Sequence, residues 1–524
     1  MHKSCIRNFW NRCLILLLAS AEVSCQQHSP PRSATEKPAA TAESPETIAA
    51  TEGQIVAFCG GCHAMPHPDR FPKESWPQEV ERGFDFYQKF KPVDLSPPPI
   101  QPVVDYFRSR APVELARPAI ESFPNPEGVR FRTQLVTLDD VAGDEVRPTA
   151  ISFVASWKSD ITPGKFLLSD MANGGIWLAD ANSPPRCLTR VRNPTVASRC
   201  DLNGNGIPDL VIADLGRFPP SDHTLGSVVW LKDVDEQGEF RNGTALARNL
   251  GRVADVEPGD FDADGDTDLV VAEFGWHKTG RILLLRNNGN RNQPSFETVV
   301  LDPRPGTIHV PVLDLNRDGH PDFVALVSQQ FETIDAFLNQ GNGTFAKQTI
   351  HAADDPAYGS SGIQIIDLDG DGDDDVLFSN GDIFDSFLIK PYHGIQWLEN
   401  PGEFPFRWHK LTAFPGVHRA LAGDLDCDGD LDIVAVAMFP STVRDTDIGR
   451  SFDSLIWLEQ TSPGQFVRHA LESGECAHAA MELSDLDGDG DLEIITGMFS
   501  ISGPLTQPAA KIWWNETTRP LPAK

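Results

Sequence analysis

Asp367-Leu-Asp-Gly-Asp-Gly-Asp-Asp-Asp375 carries an acid at every odd position of nine residues and a glycine at the sixth. Alternating oxygen ligands with a glycine at the sharpest bend describe a calcium loop. The same pattern, Asp-x-[Asp/Asn]-x-[Asp/Asn]-Gly-x-x-[Asp/Glu], occurs six times, with starts 53 to 61 residues apart. Its expected ligands are Asp201, Asn203, Asn205 and Asp209, then Asp260, Asp262, Asp264 and Asp268, then Asp314, Asn316, Asp318 and Asp322. The later loops offer Asp367, Asp369, Asp371 and Asp375, then Asp424, Asp426, Asp428 and Asp432, and last Asp485, Asp487, Asp489 and Glu493. Up to six Ca2+ ions are therefore expected. The first loop, with only two carboxylates, should bind weakest.

The residues after each loop separate two architectures. An EF-hand needs a bidentate Glu at position twelve and flanking helices. Position twelve is Ile212, Val271, Ala325, Phe378, Ala435 and Thr496, none of them a carboxylate. Each loop instead enters an apolar run rich in β-branched residues, such as Leu269-Val-Val-Ala272 or Leu431-Asp-Ile-Val-Ala-Val436. Such runs are strands, so EF-hands are rejected. Repeats of this kind at this interval resemble the FG-GAP/VCBS repeats of integrin α-chain propellers. The resemblance spans about three quarters of the chain. It implies a mainly β fold, a propeller whose calcium loops brace one face.

Each unit reads as an inner strand, the loop, a second strand, a third strand and an outer strand. For the second loop these are Ala254–Gly259, Leu269–Phe274, Ile282–Arg286 and Phe296–Leu301. The third strand is recurrently aromatic, as in Val229-Trp-Leu231, Gln396-Trp-Leu398, Ile456-Trp-Leu458 and Ile512-Trp-Trp514, and is read as packing between blades. Before Asp201, four runs (Ala150–Ala155, Lys165–Asp170, Ile176–Ala179 and Arg186–Val191) give a further blade in which Ser156–Gly164 replaces the metal loop. The count is then seven blades over residues 129–516. The last lacks an outer strand, which Phe131-Arg-Thr-Gln-Leu-Val-Thr137 should supply. Pairing the two ends within one blade would close the ring and remove a free sheet edge.

The front of the chain differs. Basic residues precede Cys13-Leu-Ile-Leu-Leu-Leu-Ala-Ser-Ala21, an apolar run too short to span a bilayer. With Glu22-Val-Ser-Cys25 it reads as an export signal over 1–25, similar to a bacterial lipoprotein signal. Lipid attachment at Cys25 and simple cleavage both stay open. Residues 26–52 are rich in Ser, Pro, Ala, Thr and Glu and read as a disordered tether, followed by a haem domain over 53–115 and a linker over 116–128. These features place the protein outside the cytoplasm, in the periplasm or at the cell surface.

Within that haem domain stands Cys59-Gly-Gly-Cys62-His63. C-x-x-C-H is the signal for covalent haem c: two thioethers and an adjacent proximal His, here Cys59, Cys62 and His63. A zinc site would need another Cys/His pair nearby, and the next cysteine is Cys187. Two stretches of helical period follow, Trp76–Phe90 and Ile100–Arg110, and the whole is similar to a small bacterial cytochrome c domain. That family usually supplies a distal Met well downstream. Here the segment has only Met65, two residues past the proximal His. His67, Tyr87 or an open sixth position are the remaining choices.

Composition bounds the function. With 44 basic and 75 acidic residues the net charge is −31, which excludes nucleic acid as a partner. Four cysteines (Cys187, Cys200, Cys427 and Cys476) are not absorbed by the signal or the haem motif, and they are read as buried thiols, though their even number permits disulfides. Propeller ligands usually sit on the face away from the metal loops. There His309, His418 and His478 precede inner strands at similar offsets, beside loops carrying Trp276-His277, Asp382–His393 and Phe439–Ser451. Scattered surface histidines are the competing reading. Three functions remain: haem c electron transfer to a partner protein, with the propeller as scaffold and docking surface; a propeller oxidoreductase handing electrons from a small molecule to its haem; and an adhesion or ligand-capture protein.

Overall fold

A computed structural model describes residues 45–91, 93–120, 123, 129–138, 148–157, 164–289, 294–500 and 508–517. The segment read as signal with Cys25, the segment read as tether up to 44, and residues 158–163 lie outside the described residues. The chain divides into two compact units, one holding the described residues up to Leu115 together with Asp354–Ala357, and the other holding the rest from Ala116 onward.

The first unit is helical: α1 Pro45–Cys59, α2 Trp76–Phe90 and α3 Ile100–Arg110. The first helix begins at Pro45, inside the stretch read as tether, because proline is tolerated in a helix's first turn. In α2, Trp76, Val80, Phe84 and Tyr87 are buried at spacings of four, four and three, so they share one stripe. α3 answers with Val103, Val104 and Phe107. The Trp76 and Phe107 rings stack at 4.0 Å and 9°, while Phe58 of α1 meets Phe84 and Tyr87, each at 5.0 Å.

The second unit is a seven-bladed β-propeller. Blade 1 is Ile151–Ser156, Lys165–Asp170, Gly175–Asp180 and Ser183–Arg190; blade 2 is Pro194–Cys200, Asp209–Asp214, Gly226–Lys232 and Asn242–Leu250. Blade 3 is Val253–Gly259, Asp268–Glu273, Arg281–Asn287 and Phe296–Asp302. Blade 4 is Thr307–His309 with Val312–Leu313, then Asp322–Val327, Thr333–Asn339 and Phe345–Ala352. Blade 5 is Ser360–Ile366, Asp375–Asn380, Gly394–Glu399 and Arg407–Ala413; blade 6 is Val417–Gly423, Asp432–Ala437, Asp453–Ser462 and Gln465–Ser473. Blade 7 is His478–Ser484, Glu493–Met498, Ala510–Asn515 and, from the other end of the chain, Phe131–Val136. Every adjacent pair is antiparallel, and Phe131 faces Asn515 while Val136 faces Ala510. The ring therefore closes as the repeat count requires.

Why the second strands read as unbroken apolar runs is now visible. Asp268–Glu273, Asp432–Ala437 and Glu493–Met498 are buried at all six positions, because each is covered on both faces by neighbouring blades. The recurrent third-strand tryptophans fill the same layers: Trp457 is 1 % exposed and Trp177 of blade 1 likewise. One strand departs from expectation. The inner strand of blade 4 is split between His309 and Val312, since Pro311 has no N–H to give the ladder.

Inner strands are also tied to one another through side chains. Thr195 Oγ1 and Ser198 Oγ donate to the carbonyls of Val253 and Val256 in the next blade. Asp255 accepts from Val310 N, Gln364 from Ala422 N, and Glu482 from Ser156 N across the closure. Each polar group is satisfied by the adjacent blade's backbone. The ring is thereby stitched at its centre as well as packed.

Candidate functional site

Three regions carry chemistry, and each is built by a different local rule. The first is the turn after α1. Cys59 is the last residue of that helix, and Gly60 and Gly61 continue the turn by donating to Val56 O and Phe58 O. Gly61 is required there: a Cβ would lie 2.6 Å from Leu95 Cδ1 and 2.8 Å from Ala57 O. His63 Nδ1 lies 2.7 Å from the carbonyl of Ala64. A carbonyl only accepts, so Nδ1 holds the proton and Nε2 keeps its lone pair. This is the orientation a metal-ligating histidine needs. Burial lowers the His63 pKa, which keeps the ring neutral, and burial raises Cys59 to about 11. The residues thus fit a covalently held haem, which Cys59 and Cys62 would tether and His63 would ligate. Tyr87, by contrast, is withdrawn as a distal ligand. Its hydroxyl donates to Leu95 O and accepts from Leu95 N, both at 2.7 Å. His67 is exposed at the entry to a short 3-10 turn, and Met65 is half-buried.

The second region is the set of acidic loops. In all six, the ninth-position carboxylate accepts the backbone N–H of the second residue: Leu202, Phe261, Leu315, Leu368, Leu425 and Leu486 donate in turn to Asp209, Asp268, Asp322, Asp375, Asp432 and Glu493. In five its other oxygen takes an N–H from the end of the third strand, as Asn287 N gives to Asp268 and Gln460 N to Asp432. The ninth acid therefore anchors the loop to the sheet. Each oxygen keeps a second lone pair for a cation. The bend glycine donates to the first Asp, as Gly265 does to Asp260 and Gly490 to Asp485.

Carboxylate oxygens converge as a cation site demands. Asp260, Asp262 and Asp268 lie with ligand atoms within 4.8 Å of one another, as do Asp367, Asp369 and Asp371, then Asp424, Asp426 and Asp428, then Asp485, Asp487 and Asp489. Oδ1 of Asp260 and of Asp262 and Oε1 of Glu493 are shielded from solvent and accept no hydrogen bond. Burial, and behind it the neighbouring carboxylates, pushes Asp268 and Asp375 to about 6 and Asp432 and Glu493 to about 7. Packed anions of this kind fit a divalent cation, which would reverse those shifts. The first loop is wired differently. Asn203 Nδ2 donates to Asp209 and to Asp233, and Asn205 Nδ2 donates to Asp233 at 2.7 Å. Amides thus occupy donor positions among the acids, and Asp233, which lies outside the nine-residue pattern, completes the set.

The third region is the ring of inner strands. His309 Nδ1 lies 3.6 Å from Asp255 Oδ2, and Arg419 donates to Ile363 O at 3.1 Å. His418 Nε2 is shielded from solvent without a hydrogen-bond partner. Burial, reinforced by the charges of His309 and Arg419, lowers His418 to about 4. Burial and the adjacent Asp255 raise Glu257. Two histidines, an arginine and carboxylates thus meet here. His478 does not join them. It is fully buried and bonded at 2.6 Å to Glu472, which also pairs with Lys511. The similar offsets in sequence missed this because each inner strand carries a register shift: His478 stands before it, paired with Met498, whereas His418 lies within it and His309 after it. Among the described residues no disulfide joins Cys187, Cys200, Cys427 or Cys476, and of these four only Cys476 is fully buried.

Residues 201–271, 260–325 and 314–378 match the model of the FG-GAP-like repeat. Residues 201–378 of this seven-bladed β-propeller thus carry FG-GAP-like repeats. No curated protein sequence matches it. Among solved structures it is similar to the one titled "Streptogramin B lyase structure", at 12 % identity over 74 % of this chain and 98 % of that one, TM-score 0.45. The crystal structure of BBS1N in complex with ARL6DN, soaked with lead, is similar at 11 % identity, with 74 % and 98 % covered and a TM-score of 0.43.

Proposed function

We propose that the protein is an exported haem c electron-transfer protein whose propeller, braced by calcium, serves as scaffold and as the surface that meets a redox partner or ligand. The observation that carries this reading is the His63 hydrogen bond to Ala64, which leaves Nε2 unprotonated beside Cys59 and Cys62. Haem c would supply one-electron chemistry at that turn. The residues' own part is to hold and shield. Cys59 and Cys62 tether, His63 is fixed in one tautomer, and Phe58, Phe84 and Tyr87 form an apolar wall beside the helix that carries Cys59. The acidic excess favours a basic partner, and the association should weaken with salt. The export signal and the calcium loops fit a calcium-rich extracytoplasmic setting.

A visible spectrum of the protein expressed in a periplasm competent for haem attachment tests the reading. We expect covalent haem that survives denaturation and cycles between oxidised and reduced forms. Free thiols at Cys59 and Cys62 in such material would overturn it. A second reading, oxidation of a small molecule on the propeller, is favoured by the clustering of His309, His418 and Arg419 near Asp255. Reduction of the haem by a substrate in purified protein would select it.

A further inference from the structure

In a chain with a net charge of −31, one group of cations stands apart from the acidic loops. It lies at a junction around one end of blade 2: Arg217 and His223 are on the loop joining that blade's second and third strands, and Arg192 and Arg252 are on the connections that enter blades 2 and 3 from the preceding outer strand. The acidic loops join inner to second strands, so the two sets occupy opposite ends of the antiparallel sheets. Backbone contacts bring these cations together. Asn193 N donates to Asp214 Oδ1 and Asn193 O accepts from Leu215 N, placing Arg192 beside the turn that leads to Arg217. A Cβ on Gly226 would strike Gly251 O, so the chain after His223 runs against the residue before Arg252. Asp222 Oδ1 accepts N–H groups from His277, Lys278 and Thr279, which pins the blade 2 loop to the loop of Trp276.

One group of this junction lacks an explanation in packing, His223, and it stands near a buried arginine. Arg252 is fully buried; it donates to Gly275 O and lies over Phe274 and Trp276 at 4.9 and 5.7 Å. His223 Nδ1 accepts the N–H of Leu225 at 3.1 Å, so in the neutral ring the proton sits on Nε2. That Nε2–H is shielded from solvent and has no acceptor. The nearby carboxylates are engaged with other donors: Glu273 with Arg281 and Gly251 N, Asp214 with Ser227, Gly216 N and Asn193 N, and Asp222 with the three amides. Exposed Arg192 and Arg217 make no ion pair among the described residues.

We propose that this junction binds a small oxyanion, a carboxylate, sulfate or phosphate group, held by Arg192, Arg217 and the Nε2–H of His223 beside the Arg252–Trp276 pair. Guanidinium groups suit such anions because their planar N–H forks match two oxygens at once. The aromatic wall excludes water and leaves a few polar groups to fix orientation. Burial, and then the charges of Arg252 and Arg217, lower the pKa of His223, so its ring acts as a neutral donor.

Calorimetric titration of the full chain with sodium sulfate, sodium phosphate and sodium acetate tests this. One equivalent of at least one anion should bind. Stronger acetate than sulfate binding would assign a carboxylate ligand, and the reverse a tetrahedral one. The double variant Arg192→Gln/Arg217→Gln changes only exposed side chains and should keep the wild-type circular dichroism while losing affinity about tenfold or more. His223→Phe should weaken binding without altering the far-ultraviolet spectrum. No binding of any of the three up to about 10 mM, or an affinity unchanged in the double variant, would overturn the proposal.

Discussion

Trp514 Nε1–H donates to Gln134 Oε1 at 3.0 Å, joining residues 380 positions apart. The bond lies within the only blade built from both ends of the chain, where Arg132 also pairs with Glu516. Without Phe131–Val136 the strand Ala510–Asn515 would present a bare edge in a ring that otherwise has none at that layer.

Closure should therefore dominate the propeller's stability. Gln134→Ala should cost about 1 kcal/mol, the usual net worth of such a bond. Deleting residues 131–136 should do far more, giving an early thermal transition and aggregates on size-exclusion chromatography. A deletion variant as stable and monomeric as the wild type would show that the strand is dispensable.

Calcium removal provides the second test. Chelation should lower the melting temperature, since an ion bound only by the folded state adds about 2.7 kcal/mol per site at a hundredfold excess over Kd. The loops should respond unequally. Asp428→Asn should remove one tight site from a terbium-luminescence titration. Asp201→Asn should change the tight stoichiometry least, because Asn203 and Asn205 already satisfy Asp209 and Asp233.

A pH effect arises from Glu472. Burial alone would raise its pKa, but the hydrogen bond to His478 and the neighbouring Lys511 hold it down to about 2, below an ordinary value of 4.5. A depressed carboxyl adds stability that is present above pH 4.5 and lost as pH falls through 2. Glu472→Gln should cost about 3 kcal/mol at pH 7, the penalty for breaking a buried pair. The gap from wild type should close between pH 4.5 and 2 in parallel denaturant titrations; a pH-independent gap would refute the assignment.

In the helical unit, Tyr87→Phe separates structure from ligation. Losing the two bonds to Leu95 should destabilise the unit by about 1–2 kcal/mol, while the haem spectrum stays as in the wild type. Met65→Ala or His67→Ala is where a change of the sixth ligand would register. A shifted spectrum in Tyr87→Phe alone would restore the tyrosine as ligand.

Much of this architecture is local in origin, which is why it could be read from residues. A nine-residue loop with Gly at its bend, followed by a run such as Leu269-Val-Val-Ala272, repeats because each blade solves the same packing problem. Blade number and ring closure come from counting those units and finding one outer strand missing. The Cys59–His63 turn is likewise contiguous, so its members stand together without help from distant contacts.

Other features depended on direction and distance across blades. Three histidines stand at similar offsets in the sequence, yet the fold sets His309 and His418 in the inner ring and turns His478 into the Glu472–Lys511 pair. Nothing in the repeat hints that Asp233 completes the first loop, or that each ninth-position acid spends itself anchoring the sheet. Nor does spacing reveal that Arg192, Arg217, His223 and Arg252 converge, for they sit on connections between different strands. Periodic burial is written along the chain, so the sequence alone determined the propeller and its repeats. Which polar side chains meet depends on strand register, loop path and neighbouring blades, and only the tertiary structure decided that.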